Sequence, residues 1–182
     1  MNKTGCCVWF TGLPAAGKTT IAKEIMIRLS SRGLIIDRLD GDVVRKSFCA
    51  DLGFSKEDRD ENISRNSYVA SYLVSVDRIV LCAFVSPYEG ARTKARGLIK
   101  NFVEVFVDAP LAVCEQRDAE DPNRLGMYAK ARAGKITGFT GIDDPYEAPR
   151  SPELHLLTDK LTVSDCAREV IGFLEGRGYV DP

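Results

Sequence analysis

Residues Gly12-Leu13-Pro14-Ala15-Ala16-Gly17-Lys18-Thr19 fit the pattern G-x-x-x-x-G-K-[ST] in full, and their setting matters as much as the match. Before them stands the strand-like run Cys6–Thr11, CCVWFT. After them a helical period brings Ile21, Ala22, Ile25, Met26 and Leu29 to one face, with Gly33 placed to stop the helix. A glycine-rich turn between a strand and a helix is a phosphate-binding loop (P-loop). Successive backbone N–H groups and the helix N-terminus surround the phosphates, Lys18 neutralises charge on the β and γ groups, and the Thr19 hydroxyl can ligate Mg2+.

Outward from this loop, the apolar runs Leu34–Leu39, Arg78–Phe84, Phe102–Val107 and Leu154–Thr158 have strand length and alternate with helical patterns. That layout predicts an α/β, three-layer P-loop NTPase fold: a mostly parallel sheet with helices on both faces. A second helix opens at Ser55, with Asp58 three residues on, and carries Ile63, Val69, Ala70, Leu73 and Val74 inward. The last helix repeats the device with Thr162 and Asp165, followed by Val163, Ala167, Val170, Ile171 and Leu174. With 182 residues, one domain over 1–182 is expected. The irregular stretch Asp118–Pro152 sets Gly126, Gly134, Gly138 and Gly141 among Arg124, Lys130, Arg132 and Lys135. It reads as a mobile lid able to close over phosphates, or as a solvated surface excursion.

Composition narrows the ligand classes. Lys and Arg number 25 against 26 Asp and Glu, a net charge of −1, so no global basic field exists to hold nucleic acid or an anionic membrane. Phosphate binding has to be local. No apolar run reaches membrane-spanning length and no signal-peptide pattern opens the chain, which predicts a cytoplasmic protein. Six cysteines without a C-x-x-C pair read as buried thiols, with a redox pair as the alternative, and Cys6 and Cys7 should face opposite sides of a strand. The only histidine, His155, lies in the run LHLLT, which suits a packed or edge-strand role and speaks against His-based acid–base chemistry and a multi-His zinc site.

A P-loop alone does not choose a chemistry. No N-K-x-D base-reading motif appears, and the third strand runs into Val85, Ser86 and Pro87 rather than an acid. The acids stand instead at the end of the second strand, as Asp40-Gly41-Asp42. Strand carboxyl ends at a switch point face the ligand, so these carboxylates lie opposite the P-loop. Asp42 is assigned to orient an attacking hydroxyl or accept its proton, and Asp40 to assist Mg2+ or its water shell; an Asx turn about Gly41 is the alternative. Arg45, three residues on, suits an anionic acceptor. Arg59, Asn62 and Arg65 share one helix face, which is either solvated or the lining of an acidic-ligand pocket.

The segments GLPAAGKTT, LDGDVVR, DLGFSKEDRDENISR, FVSPYEGAR, EVFVDAPLAVCEQRD, YAKARAG and GFTGIDDPYEAP resemble the adenylylsulfate kinase family, in order and across nearly the whole chain. The resemblance implies transfer of the γ-phosphoryl of MgATP to the 3′-hydroxyl of adenosine 5′-phosphosulfate, in sulfate assimilation, by a homodimer. It places Thr20 and Arg117 with the P-loop on the nucleotide. It places Arg45, Phe54, Arg59 and Asn62 on the acceptor, with Gly138 and Phe139 closing on the adenine. The physics agrees, since Phe54 and Phe139 offer stacking faces and arginines suit a phosphosulfate. The family's phosphoserine position falls on Ser86. In-line transfer needs no covalent step and no neighbouring residue is an obvious activating base, so the residues themselves read Ser86 as binding or orienting. Two departures stand out. The usual lid R-D-P-K-G-L-Y is lengthened between Arg117 and Tyr128, so that the lid lysine falls at Leu125, and one arginine of N-I-R-R has become Ser64. Another small-molecule P-loop kinase, or a nucleotide-binding regulatory module without turnover, are the competing readings.

Arg124 adjoins the missing lid lysine. If it substitutes for that lysine, Arg124→Ala should raise KM for the phosphosulfate substrate while sparing ATP, by about 1–3 kcal/mol for a lost charge-assisted contact. Steady-state KM values for both substrates decide this, and unchanged values would make Arg124 plain surface.

Overall fold

The computed structural model describes residues 4–122 and 126–182. Five strands form one sheet: β1 (Cys6–Thr11), β2 (Ile36–Asp40), β3 (Ile79–Ala83), β4 (Phe102–Asp108) and β5 (Leu154–Leu157), in the order β2-β3-β1-β4-β5. Every pairing is parallel, with Val8 opposite Leu81 on one side and Val103 on the other. Because β1 is central and covered on both faces, all six of its residues are buried.

Alternation along β1 divides the interior into two cores. Cys6, Val8 and Phe10 pack with Ile21, Ile25, Leu29, Val170 and Leu174 from helices α1 (Lys18–Ser31) and α7 (Val163–Gly176). Cys7 and Trp9 face the other way, toward Ile63, Ala70, Val74 and Ala95. Those side chains come from α3 (Lys56–Ser75) and α4 (Glu89–Leu98). The expected three layers and the opposed cysteines are therefore present. All six cysteines are free and buried; the Cys7 and Cys82 sulfurs lie 3.7 Å apart, and burial pushes the Cys7 thiol up. His155 takes the edge role, 2.9 Å from Asp108 Oδ2 and stacked on Phe106.

Where the sequence expectation and the structure differ, the local reasons are visible. β2 starts at Ile36 rather than Leu34 because the Leu34 N–H closes the end of α1 on Leu29 O. β3 starts at Ile79 because the Arg78 N–H does the same for α3 on Leu73 O. Val163 does not face the core. It is the first residue of α7 and is 40% exposed, while Cys166 and Ala167 take the buried positions. Nor is the 118–152 stretch wholly a loop. Asp118 lies within α5 (Leu111–Glu120), and its buried carboxylate accepts the N–H of Tyr128, near the start of α6 (Met127–Arg132). Tyr128 in turn donates to Pro14 O, which fastens α6 to the P-loop.

Ser55 and Thr162 are N-caps as expected, and Thr162 with Asp165 forms a full capping box. Thr162→Ala should therefore cost about 1 kcal/mol, because the Asp165 N–H loses its acceptor. For a chain of this size that lowers Tm by about 2–4 °C. Calorimetry checks it, and an unshifted Tm would mean that water replaces the cap without loss.

Candidate active site

The P-loop is seated by a close approach. Gly12, at φ 151°, passes so near β4 that a Cβ would stand 2.2 Å from the Val107 oxygen. Gly17, at φ 111°, is the N-cap of α1 and aims that helix's free N–H groups into the loop. Lys18 is buried, and its Nζ donates to Gly12 O at 2.8 Å and Leu13 O at 2.7 Å, so the cation bridges the mouth of its own loop. Thr19 Oγ1 donates to Asp40 Oδ2 at 2.8 Å, which joins the loop to the end of β2.

Asp40 does more than one job. Its buried carboxylate also accepts Arg38 Nη1 at 2.7 Å, and it caps the short helix α2 (Gly41–Val44) by accepting the Asp42 N–H. The Asx-type turn and the link to the P-loop are thus the same carboxylate. Asp42 is exposed and lines the cavity that Asp40, Lys18 and Thr19 also line, a space of about 200 Å³. Among the described residues no group of three or more His, Cys, Asp or Glu could hold a metal. The oxygen atoms of Thr19 and Asp40 are nevertheless the hard donors that Mg2+ takes together with phosphate and water.

The far wall of the cavity is cationic and aromatic. Arg45 lies 4.3 Å and Arg59 5.5 Å from the centre of the Phe54 ring, which is 62% exposed. Arg45 donates to Gly53 O, while Arg59 donates to Phe54 O and, at 2.6 Å, to Gly138 O. Burial and the neighbouring Arg59 charge push the Arg45 guanidinium down from its usual value. Asn62 is buried in the lining, and its Nδ2 has no protein acceptor. Arg65 does not join them; both its Nη atoms are paired to Asp51, outside the cavity. The three-residue helix face is therefore split, pocket at Arg59 and Asn62 and surface at Arg65.

Ser86 also lines the cavity but is itself buried, with φ at 39° and its Oγ accepting Trp9 Nε1 at 3.2 Å. Phe139 does not line the cavity. Its ring meets Tyr128 edge-on at 4.8 Å, and the motif reaches the cationic wall through the Gly138 carbonyl on Arg59 instead. The Gly138 and Phe139 N–H groups both donate to Asp143, which holds that carboxyl below its ordinary value. Sequence reasoning missed Asp144, which accepts Tyr88 Oη at 2.7 Å and Thr140 Oγ1 at 3.0 Å, and lies 4.0 Å from Arg59. Its only signal was its place beside the GFTG motif. Burial and the bond to Asp144 push the Tyr88 phenol up to about 12.

On the opposite side of the loop, Arg117 donates to Thr158 O at 2.6 Å and to Ala16 O at 3.3 Å. With Gly17 and Thr20 it lines a separate cleft of about 360 Å³. Ala15 borders both spaces, so two clefts meet at the P-loop. Arg124 lies outside the described residues.

Residues 4–157 match the family described as adenylylsulphate kinase. An adenylyl-sulfate kinase of Halothermothrix orenii is 56% identical over 180 residues, covering 99% of this chain and 95% of the relative. One from Synechococcus is 49% identical and is covered over its entire length by 99% of this chain. Among solved structures, the Mycobacterium tuberculosis APS kinase in complex with AMPPNP and APS superposes with a TM-score of 0.88 at 44% identity, over 94% of this chain and 98% of that one.

The bridge made by Lys18 sets an expectation. Lys18→Ala should leave Tm within a few degrees, because its bonds to Gly12 O and Leu13 O are local to one loop, yet lower turnover on the order of 10²-fold or more through loss of charge on the transferring phosphoryl. Near-normal turnover in a folded variant would remove the P-loop from the mechanism.

Proposed function

Since the chain belongs to the adenylylsulphate kinase family, we propose that its two clefts are the donor and acceptor sites of one phosphoryl transfer. The chain is an ATP-dependent kinase that passes the γ-phosphoryl group to the 3′-hydroxyl of adenosine 5′-phosphosulfate. The observation that carries the site reading is that Lys18, Thr19, Asp40, Asp42, Arg45 and Arg59 all line one cavity, so phosphate binders, carboxylates and an anion-binding wall face the same space.

Each group has a task that its chemistry suits. Gly12, Leu13, Ala15, Ala16 and Gly17 wrap the β and γ phosphates with backbone N–H groups, Pro14 stiffens the loop without a donor of its own, Lys18 turns its charge to the phosphates, and Thr20 and Arg117 border the cleft for the remaining nucleotide. Thr19 and Asp40 would hold Mg2+, which when bound neutralises charge on the phosphate oxygens. Asp42, the exposed carboxylate of the cavity, accepts the 3′-hydroxyl proton as the new P–O bond forms and the bond to the β-phosphate oxygen breaks, releasing ADP. Arg45 and Arg59 face the phosphosulfate, Phe54 offers its ring to the adenine, and the unpartnered Asn62 Nδ2 donates to an acceptor oxygen. Ser86 orients rather than attacks: its hydroxyl already accepts from Trp9 and has no base beside it. Gly138 and Phe139 act on the acceptor through Arg59 and the turn they build.

We also read the protein as one 1–182 domain, because its single sheet draws strands from residues 6 to 157. Exposed Tyr68 and Tyr72 on α3, with exposed Val76 at its C-cap, support a homodimer. Six free buried thiols support a reducing, cytoplasmic setting, and among the described residues no helix is long and apolar enough to cross a membrane.

ADP release in a coupled assay, compared across adenosine 5′-phosphosulfate, nucleosides and sugars, tests the substrate. Within it, Asp42→Asn should lower kcat by about 10²–10⁴-fold with KM for ATP nearly unchanged, because the amide keeps the shape but cannot take the proton. Should Asp40→Asn be the damaging change and Asp42→Asn the mild one, the two roles are exchanged.

A further inference from the structure

Ser86 is held in a conformation that a non-glycine residue seldom adopts, φ at 39°, and such strain persists only where surrounding contacts over-determine it. The contacts are specific. Arg92 of α4 is 2% exposed, and its three guanidinium nitrogens go to three different segments. Nη1 donates to Ser86 O at 2.7 Å, Nη2 to Glu147 O at 2.6 Å and Nε to Glu104 Oε1, on β4, at 2.9 Å. The Glu147 N–H closes the same junction on Pro87 O at 2.8 Å, and Glu147 Oε2 accepts the Glu89 N–H. Glu104 keeps a second partner in Arg96, at 3.2 Å.

From this geometry we infer that Arg92 is a positioning residue for the acceptor site, acting through Ser86 and the 144–147 segment, an inference that rests on the kinase reading above. A buried cation needs only one carboxylate to be neutralised, and Glu104 supplies it. The other two arms of the fork are spent on carbonyls of the two chain segments that meet beside the cavity. One segment ends β3 and presents Ser86 to the cavity beside Lys18 and Asp42. The other carries Asp144, which with Tyr88 and Thr140 anchors the turn whose Gly138 carbonyl holds Arg59. Arg92 thereby fixes the position of Ser86 and, by way of Asp144, the direction of Arg59. Lysine could balance Glu104 but cannot fork to three acceptors in one plane.

The chain's single tryptophan provides a direct reporter, because Trp9 Nε1 donates to Ser86 Oγ while its ring is buried against Phe84 and Phe102. Arg92→Lys in the full chain should keep the near-native circular dichroism, raise KM for adenosine 5′-phosphosulfate about tenfold or more, leave KM for ATP within about twofold, and shift Trp9 emission as the Ser86 turn relaxes. A general loosening would instead raise both KM values alike, and that result, or unchanged KM values with unchanged emission, overturns the inference. Should Arg92→Lys fail to fold, the paired variant Arg92→Met with Glu104→Gln, which removes both buried charges, is read by the same criteria. If the unaltered chain releases no ADP with adenosine 5′-phosphosulfate, the kinase reading fails, and the Trp9 emission of the variant alone decides the clamp.

Discussion

Everything in the site hangs on how closely the loop after β1 lies on the end of β4. With Gly12 against the Val107 carbonyl there is no room for a side chain, so the chain must turn there and enter α1 at Gly17 with its N–H groups inward. β1 stands between β3 and β4, its neighbours on opposite sides, and that is the switch point at which crossovers diverge and a crevice opens above the sheet. The ends of β2 and β3 then border one side of the loop, through Asp40 and Ser86, and the end of β5 borders the other, through Thr158 and its contact with Arg117. Two clefts, one on either side of the same loop, follow from strand order.

Local charge replaces global charge in this protein. A net charge of −1 offers no field to attract an anion, so binding relies on oriented groups at short range. Arg45 and Arg59 illustrate how orientation is obtained: each spends part of its fork on a backbone carbonyl, which fixes the plane of the guanidinium over Phe54. Asp40 is positioned in the same manner, by Thr19, Arg38 and the Asp42 N–H together. Groups whose directions are set beforehand need little reorganisation when charge develops during transfer. The three-armed Arg92 extends this scheme one layer outward, beneath Ser86.

Much of the fold was legible in the chain because its signals are local. Strand periodicity located all five strands to within two residues at either end, and the errors fell where a helix C-terminus borrowed the next N–H, as at Leu34 and Arg78. Ser55 and Thr162 were readable as caps because a hydroxyl three residues from an acid satisfies orphan N–H groups in only one geometry. Val163 was misjudged because a helix's first turn can point aside before the period takes hold. The short α6 was hidden by the glycines around it, since its stability comes from Tyr128 packed beneath Phe139 and bonded to Pro14, not from propensity.

By itself, the sequence determined the phosphate-binding loop, the parallel α/β class, the acids after β2 and the family, because each depends on residues adjacent in the chain whose backbone chemistry allows few alternatives. Only the tertiary structure decided which side chains share a cavity. It separated Arg65 from Arg59 and Asn62, turned Phe139 to Tyr128, buried Ser86 beneath the Trp9 indole, and brought Asp144 to Tyr88 and Arg92 to Glu104, Ser86 and Glu147. Those pairings join residues 6 to 77 positions apart, and no periodicity or propensity encodes them. They exist because a buried charge or a strained backbone must find its partners wherever the packed sheet and helices place them.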